Sequence, residues 1–269
     1  MSARAVPAFW TGAIILALIG LAASAGRTIS VVDGLRGPQP APELSRLDEY
    51  NTRGLAMVLG VRPGTREYED GMAQIRRFLG KFNRYPVTTL LHVVPAALFA
   101  LLAPFQFSRR IRSRHIRVHR WSGRVLVAIA IPIGLTGLFF GLFVPFAGLL
   151  EASGVAVFGA LFLFAVVRAV VAIRRKDIAT HREWMIRMFA IAIGVSTVRL
   201  VGFPLLLLTR KGPEAWFGHS IWLGFGLTLV AAELWIAATR RRPAAPAIAV
   251  ALLNGQSLPA PRSGTYVGT

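Results

Sequence analysis

The chain has 269 residues, no cysteine, 54% hydrophobic residues, only 16% charged residues and a mean hydropathy of +0.56. Without cysteine there are no disulfides, thiolate metal sites or cysteine nucleophiles, and the apolar excess excludes an ordinary water-soluble domain. The formal net charge is +19, but the arginines cluster beside apolar runs, a pattern of membrane topology and anionic lipid headgroups rather than of nucleic acid.

Taken in order, residues 7–25 form a first apolar segment. It is either a membrane helix anchored by Trp10 or a signal peptide ending at Ala23-Ser24-Ala25, and both readings put Arg27 on the outer side. Residues 27–83 are polar and nearly balanced in charge, with nine Lys/Arg against seven Asp/Glu. Met72, Ile75, Leu79 and Phe82 keep helical spacing, which predicts an amphipathic helix over 66–82, and Leu44 and Leu47 make a weaker stripe of the same kind. This segment reads as an extracytoplasmic cap. Apolar runs at 85–107, 121–145, 152–173, 184–208 and 219–238 are each long enough to cross a bilayer. Gly134, Gly137 and Gly141 put a small-residue face on the third span.

Residues 106–124 hold seven arginines, two histidines and no acid between two apolar runs. That composition predicts a cytoplasmic hairpin. Arg174, Arg175, Lys176 and Arg182 make a second basic turn, whereas the short turns assigned outside carry only Arg210 and Lys211. The expected fold is therefore all-α, a polytopic membrane bundle of about six helices with both termini in the cytoplasm of a bacterial inner-membrane protein. Its parts are a first helix in 1–26, the cap in 27–83, a five-helix core in 84–239 and a disordered tail in 240–269, whose run Ala247–Leu253 is too short to span.

Several motifs stand together: Leu91-His92, then Pro104-Phe105-Gln106-Phe107; His119-Arg120-Trp121-Ser122-Gly123-Arg124; and His181-Arg182-Glu183-Trp184-Met185-Ile186-Arg187, with Thr197-Val198-Arg199-Leu200 further on. In this order they resemble the uncharacterised bacterial membrane-protein family called domain of unknown function 2306, over about residues 84–205. The resemblance implies a multi-span membrane protein and brings no activity with it.

Ionisable residues inside spans are costly and mark candidate sites. Arg168 and Glu233 share a depth and opposite charge, and read either as a register-fixing ion pair or, for Glu233, as a proton-relay carboxylate. Arg199 has no acid at its depth and is open to carbonyls or to an anionic or polar group, such as a haem propionate, a quinone oxygen or a lipid phosphate. Haem b would need facing imidazoles, for which His92 with His219 and His119 with His181 are the pairs sorted by depth, with Arg124, Arg187 or Arg199 meeting propionates. Arg120 beside His119, matched by Arg182 beside His181, also suits a cytoplasmic anion site. Walker, Gly-x-Ser-x-Gly and His-Glu-x-x-His patterns are absent, and no residue is assigned a catalytic role. Three functions compete: a membrane scaffold or binding protein, a haem- or quinone-linked electron carrier, and a transporter using Arg168, Glu233 and a span broken at Pro95 and Pro104.

Overall fold

A computed structural model describes residues 5–36, 45–58, 60–209 and 211–240. Among them the helices are α1 (Ala5–Arg36), α2 (Arg46–Val58), α3 (Arg66–Arg84), α4 (Pro86–Gln106), α5 (Arg109–Arg114), α6 (Ile116–Phe143), α7 (Gly148–Arg174), α8 (Ile178–Thr209) and α9 (Pro213–Thr239), and there is no strand. Six of them, α1, α4, α6, α7, α8 and α9, are long and apolar enough to cross a membrane. Residues 241–269 of the expected tail, Leu44 and Arg210 lie outside the described residues.

The spans run past their expected ends, for local reasons. The first was expected to stop near residue 25, but α1 continues to Arg36 and places Ala23–Ala25 in its interior. Arg27 is satisfied within the fold, because its guanidinium donates to Asp48 at 3.0 Å and to Ser30 at 3.3 Å. Expected from residue 184, the fifth span begins at Ile178. The Asp177 carboxylate accepts the Thr180 amide at 3.0 Å and caps the helix, and these hydrogen bonds hold its carboxyl below the usual carboxylate range. Lys176, in the turn before it, adopts a left-handed backbone with φ +62. The arginine hairpin contains a short helix of its own, α5, capped by Ser108, and α6 starts directly after His115.

The amphipathic helix expected over 66–82 is α3, with Thr65 accepting the Tyr68 amide at its N-terminus. Together α2 and α3 form a cap over one end of the bundle. The other end carries α5, the turn between α7 and α8, and the start of α1, where Phe9 and Trp10 pack on Phe107 and Trp235. Trp10 is thus part of an aromatic cluster rather than a free interfacial anchor.

At the centre lies α8, packed on α9, α7 and α1. Glycines permit the close approaches. A Cβ on Gly224 would fall 2.5 Å from the Val198 amide, and one on Gly194 would fall 2.6 Å from Phe225. The small-residue face of α6 behaves as expected: Gly134 receives Leu163, Gly141 receives Val155, and Gly137 backs His92. The expected break in span two is absent, since Pro95 and Pro104 both lie inside one continuous helix, α4. Leu18, Leu101, Leu135, Val167 and Leu234 face outward, as apolar side chains do where lipid is the solvent.

Candidate ligand-binding cavity

Beneath the cap the helices part around a cavity of about 1380 Å³. This exceeds the ~300–1,000 Å³ typical of small-molecule pockets. Its walls are largely apolar and include Phe99, Phe158, Phe162 and Phe225. Polar groups reach it from α1, α4 and α8 and from the underside of the cap.

The cap is fastened to the rim by two ionic clusters. In the first, Lys81 of α3 donates to Glu151 of α7 at 2.9 Å, and both side chains are almost inaccessible, at 7% and 2% exposure. The second Glu151 oxygen accepts the amides of Phe146 and Ala147 at 2.6 Å each. The Lys81 ammonium lies 5.3 Å from the ring centroids of Phe78 and Phe82 and 5.9 Å from that of Phe217. Burial pushes the ammonium below its ordinary value, and Glu151 offsets part of that shift. In the second cluster, Asp48 of α2 accepts from Arg27, Ser30 and Ser45 and so joins α2 to α1.

Arg199 is different. It stands in α8 about 15 Å from the helix end. Its guanidinium donates to the Val195 carbonyl at 3.0 Å, and it has no ion pair among the described residues. The side chain is accessible although it lies deep in the bundle, because the space it opens onto is the cavity. The other charges of the lining cancel: Arg27 with Asp48, Lys81 with Glu151, Arg66 with Asp70 at 3.8 Å, and Glu67 against Lys211 in number. Among the described lining residues one positive charge is left over, and Arg199 is the unpaired cation that stands deep in the bundle, whereas Lys211 is exposed just before α9.

His92 borders the same cavity. Its Nδ1 lies 3.1 Å from the Ile133 carbonyl and 3.0 Å from the Thr136 hydroxyl. A carbonyl can only accept, so Nδ1 carries the proton. Thr136 gives its own proton to the Pro132 carbonyl at 2.5 Å, which leaves its oxygen free to accept as well. With Nδ1 donating, the neutral form of the ring carries its lone pair on Nε2, and this atom has no hydrogen-bond partner within the described residues.

The remaining candidates are placed elsewhere. His219 is exposed near the start of α9 and does not line the cavity, so the structure does not bring it to His92. His119 and His181 are electrostatic neighbours at the arginine-rich end. There His181 Nδ1 lies 2.9 Å from the Ala169 carbonyl, and His119 Nδ1 is buried without a hydrogen-bond partner. The expected Arg168–Glu233 pair does not form. Glu233 takes two bonds from Arg187, at 2.5 and 2.9 Å, while Arg168 lies over the rings of Phe164 and Trp184. Equal depth put both residues at one level, but they point to different neighbours. Arg187 also meets Glu183, which in turn accepts from Arg240. Arg120 is exposed, and Arg124 lies 5.2 Å over the Trp121 ring.

The family profile described as "Predicted membrane protein (DUF2306)" matches residues 89–236, more than half of the chain. The chain belongs to this family. No curated protein and no solved structure matches it. The DUF2306 match spans nearly all of α4 to α9 and contains both His92 and Arg199. The cap and its anchors Arg27, Asp48 and Lys81 precede it. Membership in DUF2306 makes this a multi-pass membrane protein with six apolar helices and assigns it no activity.

Lys81, Glu151 and Asp48 did not stand out in the sequence. A signal for Lys81 was there: it follows Phe78 by three residues, so a charge sits on the apolar side of an amphipathic helix and needs a partner. Glu151 is the only acid in the turn between the third and fourth spans.

Proposed function

We propose that this protein is an intramembrane binding protein for an anionic amphiphile taken from the bilayer. The cavity accepts the apolar part among the phenylalanines, and Arg199 holds the head. The observation that carries the reading is an arginine without a counter-ion, opening deep in the bundle onto a space too large and too apolar for water alone. An uncompensated cation in that setting is costly, and a bound anion removes the cost. The cap lies over the mouth, and its ion pairs set how the mouth is held. The arginine-rich end faces the cytoplasm by the positive-inside rule, which puts the cap and the mouth on the opposite side of a bacterial inner membrane.

The test is to purify the full chain in a neutral detergent, extract it with organic solvent and identify the co-purified molecules by mass spectrometry. An anionic amphiphile near one per protein, lost in Arg199→Gln, is expected. Equal lipid content in both proteins would sink the assignment.

A haem reading has one specific observation in its favour. His92 and His181 both direct Nδ1 at a backbone carbonyl and leave Nε2 bare, the arrangement that prepares a histidine for axial ligation. It lacks a second histidine opposite His92. A dithionite-reduced visible spectrum decides it: sharp α and β bands would establish a b-type cytochrome, and a colourless protein from haem-supplemented cells would remove it.

A further inference from the structure

We infer that the head of the ligand bears a single negative charge together with a hydroxyl, and that His92 reads the hydroxyl. This rests on the anionic-amphiphile reading above and narrows it. Two observations carry it independently of each other.

The first is the charge balance of the lining. Among the described lining residues the acids and bases balance but for one positive charge, and the unpaired Arg199 is the one placed deep in the bundle, so one negative charge on the ligand brings them to neutrality. A second negative charge would lie uncompensated in an apolar space, a costly arrangement. Arg27 offers it no counter-charge, because its guanidinium is already committed to Asp48.

The second is the polarity of His92. Arg199 can only donate hydrogen bonds, so it selects an anion or another acceptor. His92 presents the opposite character. Its Nδ1 proton is held by Ile133 and Thr136, and in the neutral ring the atom left for a ligand, Nε2, is an acceptor. A lone pair selects a donor, which an ionised acid head lacks unless it also carries a hydroxyl. Gly137 supports this geometry, because a Cβ there would lie 3.3 Å from His92 Cε1 and press on the ring. A donor residue and an acceptor residue lining one cavity thus point to a head with both functions. Two kinds of molecule carry them: a 2-hydroxy fatty acid, and a phosphodiester lipid with a glycerol head.

The experiment measures binding to the detergent-solubilised full chain by native mass spectrometry and thermal shift at pH 8. The probes are octadecanol, octadecanoate, 2-hydroxyoctadecanoate, octadecyl phosphate and dioleoylphosphatidylglycerol. Octadecanoate should bind more tightly than octadecanol. Either 2-hydroxyoctadecanoate or the phosphatidylglycerol should bind roughly tenfold more tightly than octadecanoate, as one hydrogen bond to an otherwise unpaired group allows, and the tighter of the two names the source. In His92→Phe that advantage should fall to about twofold or less while octadecanoate binding persists. The inference is overturned if wild-type protein binds octadecanoate and the hydroxylated probes equally, or if the doubly charged octadecyl phosphate binds tightest. Either result leaves the anionic-amphiphile reading standing. Failure of every acid to bind overturns that reading as well.

Discussion

The two ends of the bundle use charge in opposite ways. The arginine-rich end carries most of the excess behind the net charge of +19, yet its arginines are mostly exposed or lie over tryptophan rings, and its acids Glu183 and Glu233 are shared among Arg187 and Arg240. The cap end is closer to neutral, its pairs Lys81–Glu151 and Arg27–Asp48 are largely buried, and Arg199 lies deep in the bundle without an ion pair among the described residues. On the proposed reading, abundant charge at one end serves topology and the unpaired Arg199 towards the other end marks the binding site. Locating function in a membrane protein therefore depends on charge pairing more than on charge density.

That contrast can be tested by breaking pairs at each end. The largest effect is expected at the cap. Glu151→Gln leaves the Lys81 ammonium buried without its partner, and removing one member of a buried pair costs about 3–5 kcal/mol. Thermal unfolding in detergent should show a large fall in Tm, mostly restored in the Lys81→Met/Glu151→Gln double variant. An unchanged Tm in the single variant would mean that the pair does not hold the cap.

Next in size is Arg199→Gln. Loss of a charge-assisted contact should weaken binding of an anionic amphiphile by about tenfold or more, while Tm stays equal or rises, because an uncompensated cation leaves the interior. A fall in Tm together with retained binding would reverse the assignment.

The alkaline range gives a smaller, signed effect. Burial lowers the Lys81 value from that of the unfolded chain, 10.5. Between the folded value and 10.5 the unfolded chain binds more protons than the folded one, so folding gains stability as pH rises through that window. Measured against the uncharged Lys81→Met/Glu151→Gln double variant, wild-type protein should gain relative stability towards pH 10.5. A relative loss would show that the ion pair outweighs the burial.

The smallest effect belongs to the arginine-rich end. Glu233 is half exposed and Arg187 keeps Glu183 as a second partner, so Glu233→Gln should cost about 1 kcal/mol or less. A loss as large as that of Glu151→Gln would erase the distinction between the two ends.

The bundle was legible because hydropathy and arginine placement are properties of contiguous sequence. Six spans, the amphipathic helix now seen as α3, and the glycine face of α6 could all be read from local pattern. Helix ends were less legible. They depend on single capping groups such as Asp177, or on a distant partner, as Arg27 depends on Asp48. Depth alone also gave a poor account of partners. It put Arg168 beside Glu233 when the partner is Arg187, which lies one turn further along α8 than Glu183. It grouped His219 with His92 because depth says nothing of the direction a residue faces around its helix. Arg199 was the exception, since an arginine with no acid at its level is visible in the sequence, and the structure supplied the cavity it opens onto.

The central claim is that the unmatched Arg199, and not the general positive charge, binds the anion. The direct measurement is equilibrium binding of radiolabelled octadecanoate to wild-type, Arg199→Gln and Arg124→Gln proteins in neutral-lipid nanodiscs. Arg124 is a suitable control because it lies over Trp121 at the arginine-rich end, away from the cavity. Saturable binding near one molecule per chain, lost in Arg199→Gln and kept in Arg124→Gln, is the predicted result. Equal weakening in both variants would show that octadecanoate responds to surface charge and would contradict the account.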